Sequence, residues 1–285
     1  MRDTRAPWLV EARAPRVSHP CRDSPPSENH PVPVRPGTDC AVSESDDNIL
    51  SSICTTTPRY IMGVPMYLFL VVYVLLSTGL PIYYHFKVYG VVNWKHSALA
   101  FFLGLNAIVC LWEMCLFIRI ELIHAKYKKY AEDFKGKALQ VALQFFNLDV
   151  NASNVLSPDL WAEVWASYAV FDPSYANKQS FGFYVDVGNG FTTIMPTILF
   201  LVGMSKPICH ARSLGVIGLL SFYQEFYGTC IYFLSFVVNG RYKNLTVSEV
   251  LIFVCFTNGL WFFLPLLGIY VSWQFVETNS YNCVL

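Results

Sequence analysis

The chain has 285 residues, of which 54% are hydrophobic and 16% aromatic, while only 14% are charged. A soluble domain carries roughly 25% charged residues, so this composition excludes an ordinary soluble globule. Twenty Lys and Arg balance twenty Asp and Glu, which leaves no net field to draw in nucleic acid. Residues 1–60 hold nine of the sixteen prolines, seven arginines and eight acids, with no apolar period that could build a core. They are expected to form a disordered tail, and they lack the continuous apolar run of a cleavable signal peptide.

Five apolar stretches follow, at about 61–82, 98–118, 181–204, 214–238 and 250–276. Each is long enough to cross a hydrocarbon core of about 30 Å as a helix. Backbone groups cannot stay unpaired in lipid, so these stretches must be helical. The expected fold class is an all-α integral membrane protein, a five-transmembrane-helix bundle. Its first helix covers 61–84, and a four-helix region covers 98–276 with a polar insertion at about 121–160. A short tail, 277–285, ends the chain. Lys126, Lys128, Lys129, Lys135 and Lys137 follow the second stretch, and Arg241 and Lys243 follow the fourth. The other side has Lys87, Lys95, Lys206 and Arg212, so the positive-inside bias favours a cytosolic N-terminus.

Within the insertion, Ala138, Val141, Ala142, Phe145 and Phe146 recur at helical spacing. That pattern fits an amphipathic helix on the membrane surface and equally a solvated connector. Ser157 followed by Pro158 reads as the cap and first turn of a second short helix, ending near Asp172 and Pro173.

Three acids, Glu113, Asp186 and Glu225, fall inside the apolar stretches. An acid at the bilayer centre costs about 2.5–3.5 kcal/mol even on lenient scales, so each needs a reason to be there. Helical spacing groups them with other polar residues. Asn106, Cys110 and Glu113 share one face, and Asp186, Asn189 or Gly190, and Thr193 another. Ser221, Glu225, Gly228 and Tyr232 form a third stripe, and Thr257 or Asn258, Trp261 and Pro265 a fourth. Four such stripes facing inward enclose a polar pocket or act as hydrogen-bonding glue between helices, and spacing leaves both open.

The run Trp165, Tyr168, Asp172, Tyr175, then Asp186 and Asn189, resembles the EXPERA family, which includes the sterol Δ8–Δ7 isomerase (emopamil-binding protein) and the sigma-2 receptor. Tyr227-Gly228 with Tyr232-Phe233, and Asn258 with Leu260-Trp261 and Pro265, are similar to two further motifs of that family. The likeness covers about residues 98–276. It implies a sterol-sized cavity, with Glu113 and Asp186 as a catalytic acidic pair. Asn258 and Trp261 would complete the binding site, together with Asn189, Thr193 and Tyr227. The implied reaction protonates a ring double bond, passes through a carbocation and removes a proton from another carbon. Buried acids in unlike environments can supply an acid and a base, and the Trp261 ring can stabilise positive charge.

Departures from the family pattern are specific. Val109 stands where the isomerase has a His, the third-stretch acid is Asp rather than Glu, and Glu225 replaces a Gln. Glu225 is therefore a candidate third catalytic acid, taking over the proton transfer of the missing His. No cofactor and no metal are implied. The expected partners are a sterol or other lipophilic small molecule and membrane lipids, with no nucleic acid and with a homodimer left open. The resemblance places the chain in the endoplasmic reticulum membrane as a multi-pass protein. The alternative is a non-catalytic sterol- or lipid-binding protein of sigma-2-receptor type. A proton-relay transporter is a third reading, although no repeated broken helices are apparent.

Overall fold

A computed structural model describes residues 63–285. The expected tail and the first two residues of the first stretch lie outside the described residues. The chain forms β1 (Val64–Pro65), α1 (Met66–Tyr89), α2 (Trp94–Ile118), α3 (Ile120–Asp133), α4 (Ala138–Phe146) and β2 (Asp149–Val150). It continues with α5 (Pro158–Tyr168), α6 (Phe181–Ser205), α7 (Ala211–Val238) and α8 (Val247–Thr278). Four helices, α1, α2, α6 and α8, are long and apolar enough to cross a membrane. The protein is therefore an all-α, multi-pass membrane protein.

The fourth expected span differs. α7 is one continuous helix of 28 residues, long enough at about 1.5 Å per residue to cross a bilayer. It is nonetheless absent from the four that qualify by apolarity. The reason is its inner face, where Gly215, Gly218, Ser221, Glu225, Gly228 and Thr229 are buried. Small and polar residues there let α7 pack closely between α6 and α8, at the expense of the continuous apolar run that marks the others.

β1 pairs antiparallel with β2, with Val64 opposite Val150. This short ladder ties the start of α1 to the insertion, so both lie at the same end of the bundle as the end of α2 and the start of α6. At the opposite end Asn93 caps α2 by accepting from the Lys95 N–H at 2.9 Å, and its amide donates to the Leu285 carbonyl at 3.0 Å. There His85 and His96, both buried, stack with ring centroids 4.0 Å apart. α1 is the most outlying helix, burying only Met66 and His85 along its length.

The insertion is ordered over the end of the bundle. Ser157 caps α5 by accepting from the Asp159 N–H, and Pro158 occupies the first turn, as the sequence predicts. α5 is held to α3 by Lys126 and Tyr130, which both bond Glu163, and Arg119 pairs with Asp159 at 2.5 Å. α4 lays Ala138, Val141, Ala142 and Phe145 against protein, among them Phe171, Phe253 and Met66, while Phe146 of the expected pattern is exposed together with Leu139 and Leu143.

α2 and α6 pack backbone against backbone at Gly190. A Cβ there would lie 2.7 Å from the Glu113 Cβ, 2.9 Å from the Cys110 carbonyl and 3.0 Å from the Met114 nitrogen. Two of those neighbours are backbone, so the helices themselves would have to move. Gly188, two residues earlier, has open space around it. Gly190→Ala is therefore expected to cost about 1–3 kcal/mol of overpacking, while Gly188→Ala is neutral or stabilising. Thermal unfolding of the two variants in detergent micelles checks this contrast, and equal melting temperatures contradict it.

Candidate functional site

A cavity of about 350 Å³ occupies the half of the bundle next to the insertion. α2 supplies Val109, Trp112 and Glu113, α6 supplies Asp186 and Asn189, and α7 supplies Gly228, Thr229 and Tyr232. α8 contributes Asn258 and Trp261, while Phe145 of α4 and Trp165 and Tyr168 of α5 close the end. Its walls are mostly aromatic and aliphatic, with a few polar groups converging from α2, α6, α7 and α8. That mixture and volume are typical of sites for small lipophilic ligands, which run from roughly 300 to 1,000 Å³.

The four polar stripes of the sequence all face inward, and depth decides what each residue does. Glu113, Asp186, Asn189, Asn258 and Trp261 reach the cavity. Deeper in the bundle the same stripes close up as hydrogen-bonded joints between helices. Thr193 is one of these: its hydroxyl sits 3.2 Å from the Cys110 sulfur and donates to the Asn189 carbonyl at 2.8 Å. Glu225 is another. It is 2% exposed, and its Oε1 accepts from the Asn106 amide at 2.7 Å. Thr193 and Glu225 therefore stand behind the cavity wall and do not line it, which removes Glu225 from direct contact with a ligand.

Tyr227 is also misplaced by the sequence reading. It is 52% exposed and stacks on Tyr223 at 5.9 Å on the outer face of α7. Its neighbour Gly228 lines the cavity, and adjacent helical residues point about 100° apart, so the two cannot share a wall.

The motif around Trp165 builds the closed end. The Trp165 indole donates to the Trp112 carbonyl at 2.6 Å, fixing α5 across α2. The Tyr168 hydroxyl accepts from the Asn258 amide at 3.0 Å and donates to the Phe253 carbonyl at 3.3 Å. Phe253 lies in a π-helical segment of α8, Val250–Phe256, where the wider turn frees carbonyls for such outside partners. Burial pushes the Tyr168 phenol up to about 12, and burial followed by the Asp186 charge raises Tyr175 well above its ordinary value. Both remain neutral donors at physiological pH, and Tyr175 lines the cavity together with Asp186. Glu113 lines the same cavity as Asp186. Its Oε2 is buried with no hydrogen-bond partner among the described residues.

Sequence reasoning missed the clamp above this end. Asp172 is fully buried; its Oδ1 accepts from the Ser174 N–H at 3.0 Å, capping a 3₁₀ turn, and both its oxygens accept from one Arg241 Nη at 2.8 and 2.9 Å. Arg241 also donates to Ser174 and Ser235, and its guanidinium lies 5.6 Å from the Tyr232 ring centroid. Arg241 stood in the sequence as one cation on a turn, with no pattern to distinguish it. No group of three or more His, Cys, Asp or Glu side chains among the described residues is placed to hold a metal ion.

The arrangement defines a membrane protein in which the intramembrane acids Glu113 and Asp186 line a largely apolar cavity. No protein-family model matches the chain, and neither the curated proteins nor the solved structures contain a match.

Breaking the clamp from one side leaves a buried charge unpaired, which costs about 3–5 kcal/mol. Asp172→Asn is expected to lower the melting temperature in micelles by many degrees. Lys178→Ala, which breaks the exposed pair with Glu121, should leave it within error. Equal effects of the two substitutions would contradict the assignment of the clamp.

Proposed function

We propose that the protein is a membrane-embedded sterol Δ8–Δ7 isomerase-like enzyme. It moves a ring double bond by adding a proton at one carbon and removing one from another, through a carbocation. The observation that carries this reading is the convergence of Glu113, Asp186, Asn258 and Trp261 on one lipophilic cavity. These are four of the residues that the EXPERA resemblance implies. Glu113 and Asp186 supply the acid and the base, and the Trp261 ring with the ionised acid stabilises the cation. No electrons are gained or lost and no cofactor enters the proposed step. Glu225 contributes from behind the wall, through Asn106.

One observation favours a second reading, a non-catalytic sterol or lipid binder of sigma-2-receptor type. Val109 lines the cavity at the position where the isomerase has its His, and no histidine among the described residues lines it. Expression in isomerase-deficient yeast separates the two. The enzyme reading predicts conversion of 8-ene to 7-ene sterols, lost by at least about 100-fold in Glu113→Gln and Asp186→Asn, and unchanged in Tyr227→Phe. Sterol binding by well-expressed protein without any conversion selects the second reading.

The proposal includes α7 as a fifth span, a cytosolic N-terminus and residence in the endoplasmic reticulum. Its positive side carries the insertion and the turn of Arg241 and Lys243. Two N-glycosylation sequons, Asn151-Ala152-Ser153 and Asn244-Leu245-Thr246, lie at that same end, so both stay unglycosylated, while a sequon introduced at 206–210 acquires glycan. Glycan on either native sequon would reverse the orientation.

A further inference from the structure

We propose that Asn106 is a positioning residue for the Trp261 wall of the cavity, and that Glu225 acts by holding Asn106 rather than by touching the ligand. Asn106 is 2% exposed and does not line the cavity. Its side chain joins α2 to three other helices. Oδ1 accepts from the Trp261 indole N–H of α8 at 2.8 Å, and Nδ2 donates to Glu225 Oε1 of α7 at 2.7 Å and to Thr197 Oγ1 of α6 at 3.0 Å.

The orientation of this amide follows from donor and acceptor chemistry. An indole N–H can only donate, so the atom facing Trp261 must be the oxygen. Both amide hydrogens then point at Glu225 and Thr197, so both donors of the group are used and its oxygen holds Trp261. Asparagine is the residue whose short side chain offers an acceptor on one side and two donors on the other. Turning the indole N–H away from the cavity leaves ring carbons facing it. Trp261 also packs edge-on to Phe102, with centroids 5.9 Å apart and ring planes at 68°, so the ring is held by its edge as well as by its nitrogen.

Glu225 completes the arrangement. Its Oε1 is occupied by Asn106, and its Oε2 is buried without a partner among the described residues. The carboxyl is one amide removed from the chamber, and its effect on a ligand passes through the placement of Trp261. This role rests on the reading of the cavity as a ligand site, but the hydrogen bonds that define it do not.

The test combines a ligand-free spectroscopic readout with sterol binding. The indole N–H resonance Raman band of Trp261 is isolated by subtracting, for each protein, the spectrum of its Trp261→Phe counterpart. Binding is followed by energy transfer from tryptophan to dehydroergosterol in detergent micelles. Asn106→Leu is expected to shift the band to that of an unbonded indole and to weaken binding about tenfold, the size of one lost buried hydrogen bond. Asn106→Asp keeps an acceptor atom but sets two carboxyls face to face, which pushes that atom away from Trp261, shifts the band and weakens binding similarly. Adding Glu225→Gln to Asn106→Asp returns a donor at the joint, and is expected to restore both the band and most of the affinity. A band unchanged in Asn106→Leu, or a double variant no better than Asn106→Asp, overturns the proposal. If the wild-type protein shows the bonded band but does not bind the sterol, the ligand reading fails and the positioning of Trp261 stands.

Discussion

One side-chain amide, that of Asn106, connects α2 with α6, α7 and α8, and the division of the bundle into two halves follows from it. Interhelical hydrogen bonds in lipid are individually modest, averaging about 0.6 kcal/mol, so none of these bonds alone stabilises the bundle greatly. Their importance lies in the alternative, because an unpaired polar group in a water-free interior is costly. On the Asn106 side the polar stripes satisfy one another: Thr193 with Cys110, Asn106 with Thr197 and Glu225, Trp261 with Asn106. On the insertion side the helices part, and Glu113, Asp186 and Asn258 line a cavity, Asn258 while bonded to Tyr168.

The chamber exists because something covers it. α4 and α5 lie across the open end, and their aromatic residues form its roof. They are positioned by hydrogen bonds that reach the bundle itself, from Trp165 to the Trp112 carbonyl and from Tyr168 to the Phe253 carbonyl. The Arg241–Asp172 clamp then fixes the following turn to the end of α7. A polar insertion that interrupts the apolar pattern thus supplies one wall of the cavity.

Much of this was legible in the sequence. Apolar length located α1, α2, α6 and α8, and the Ser157-Pro158 pair located the start of α5. The inward face of every polar stripe was readable from a 3.6-residue period. Depth was not, because periodicity gives direction around a helix and says nothing of where along the axis neighbouring helices separate. For that reason Glu225 and Thr193 looked equivalent to Glu113 and Asp186. Tyr227 was placed by motif likeness against the helical period, and the period was right. α4 shows a different limit. An apolar helical face declares that it will be covered, but not whether lipid or protein covers it. The π-helical segment of α8 and the Arg241 clamp depend on pairings across 69 or more residues, for which a single sequence carries no signal.

The central claim is that a lipophilic molecule occupies the chamber between Trp112 and Trp261. Photolabelling of the purified protein with a diazirine sterol, followed by mapping of the modified peptides, tests it most directly. The structure predicts modification on the inner segments around Val109, Val185 and Leu260, suppressed by excess unlabelled sterol. Modification confined to the lipid-facing residues of α1, such as Leu75 and Leu80, or indifferent to competitor, would contradict the account.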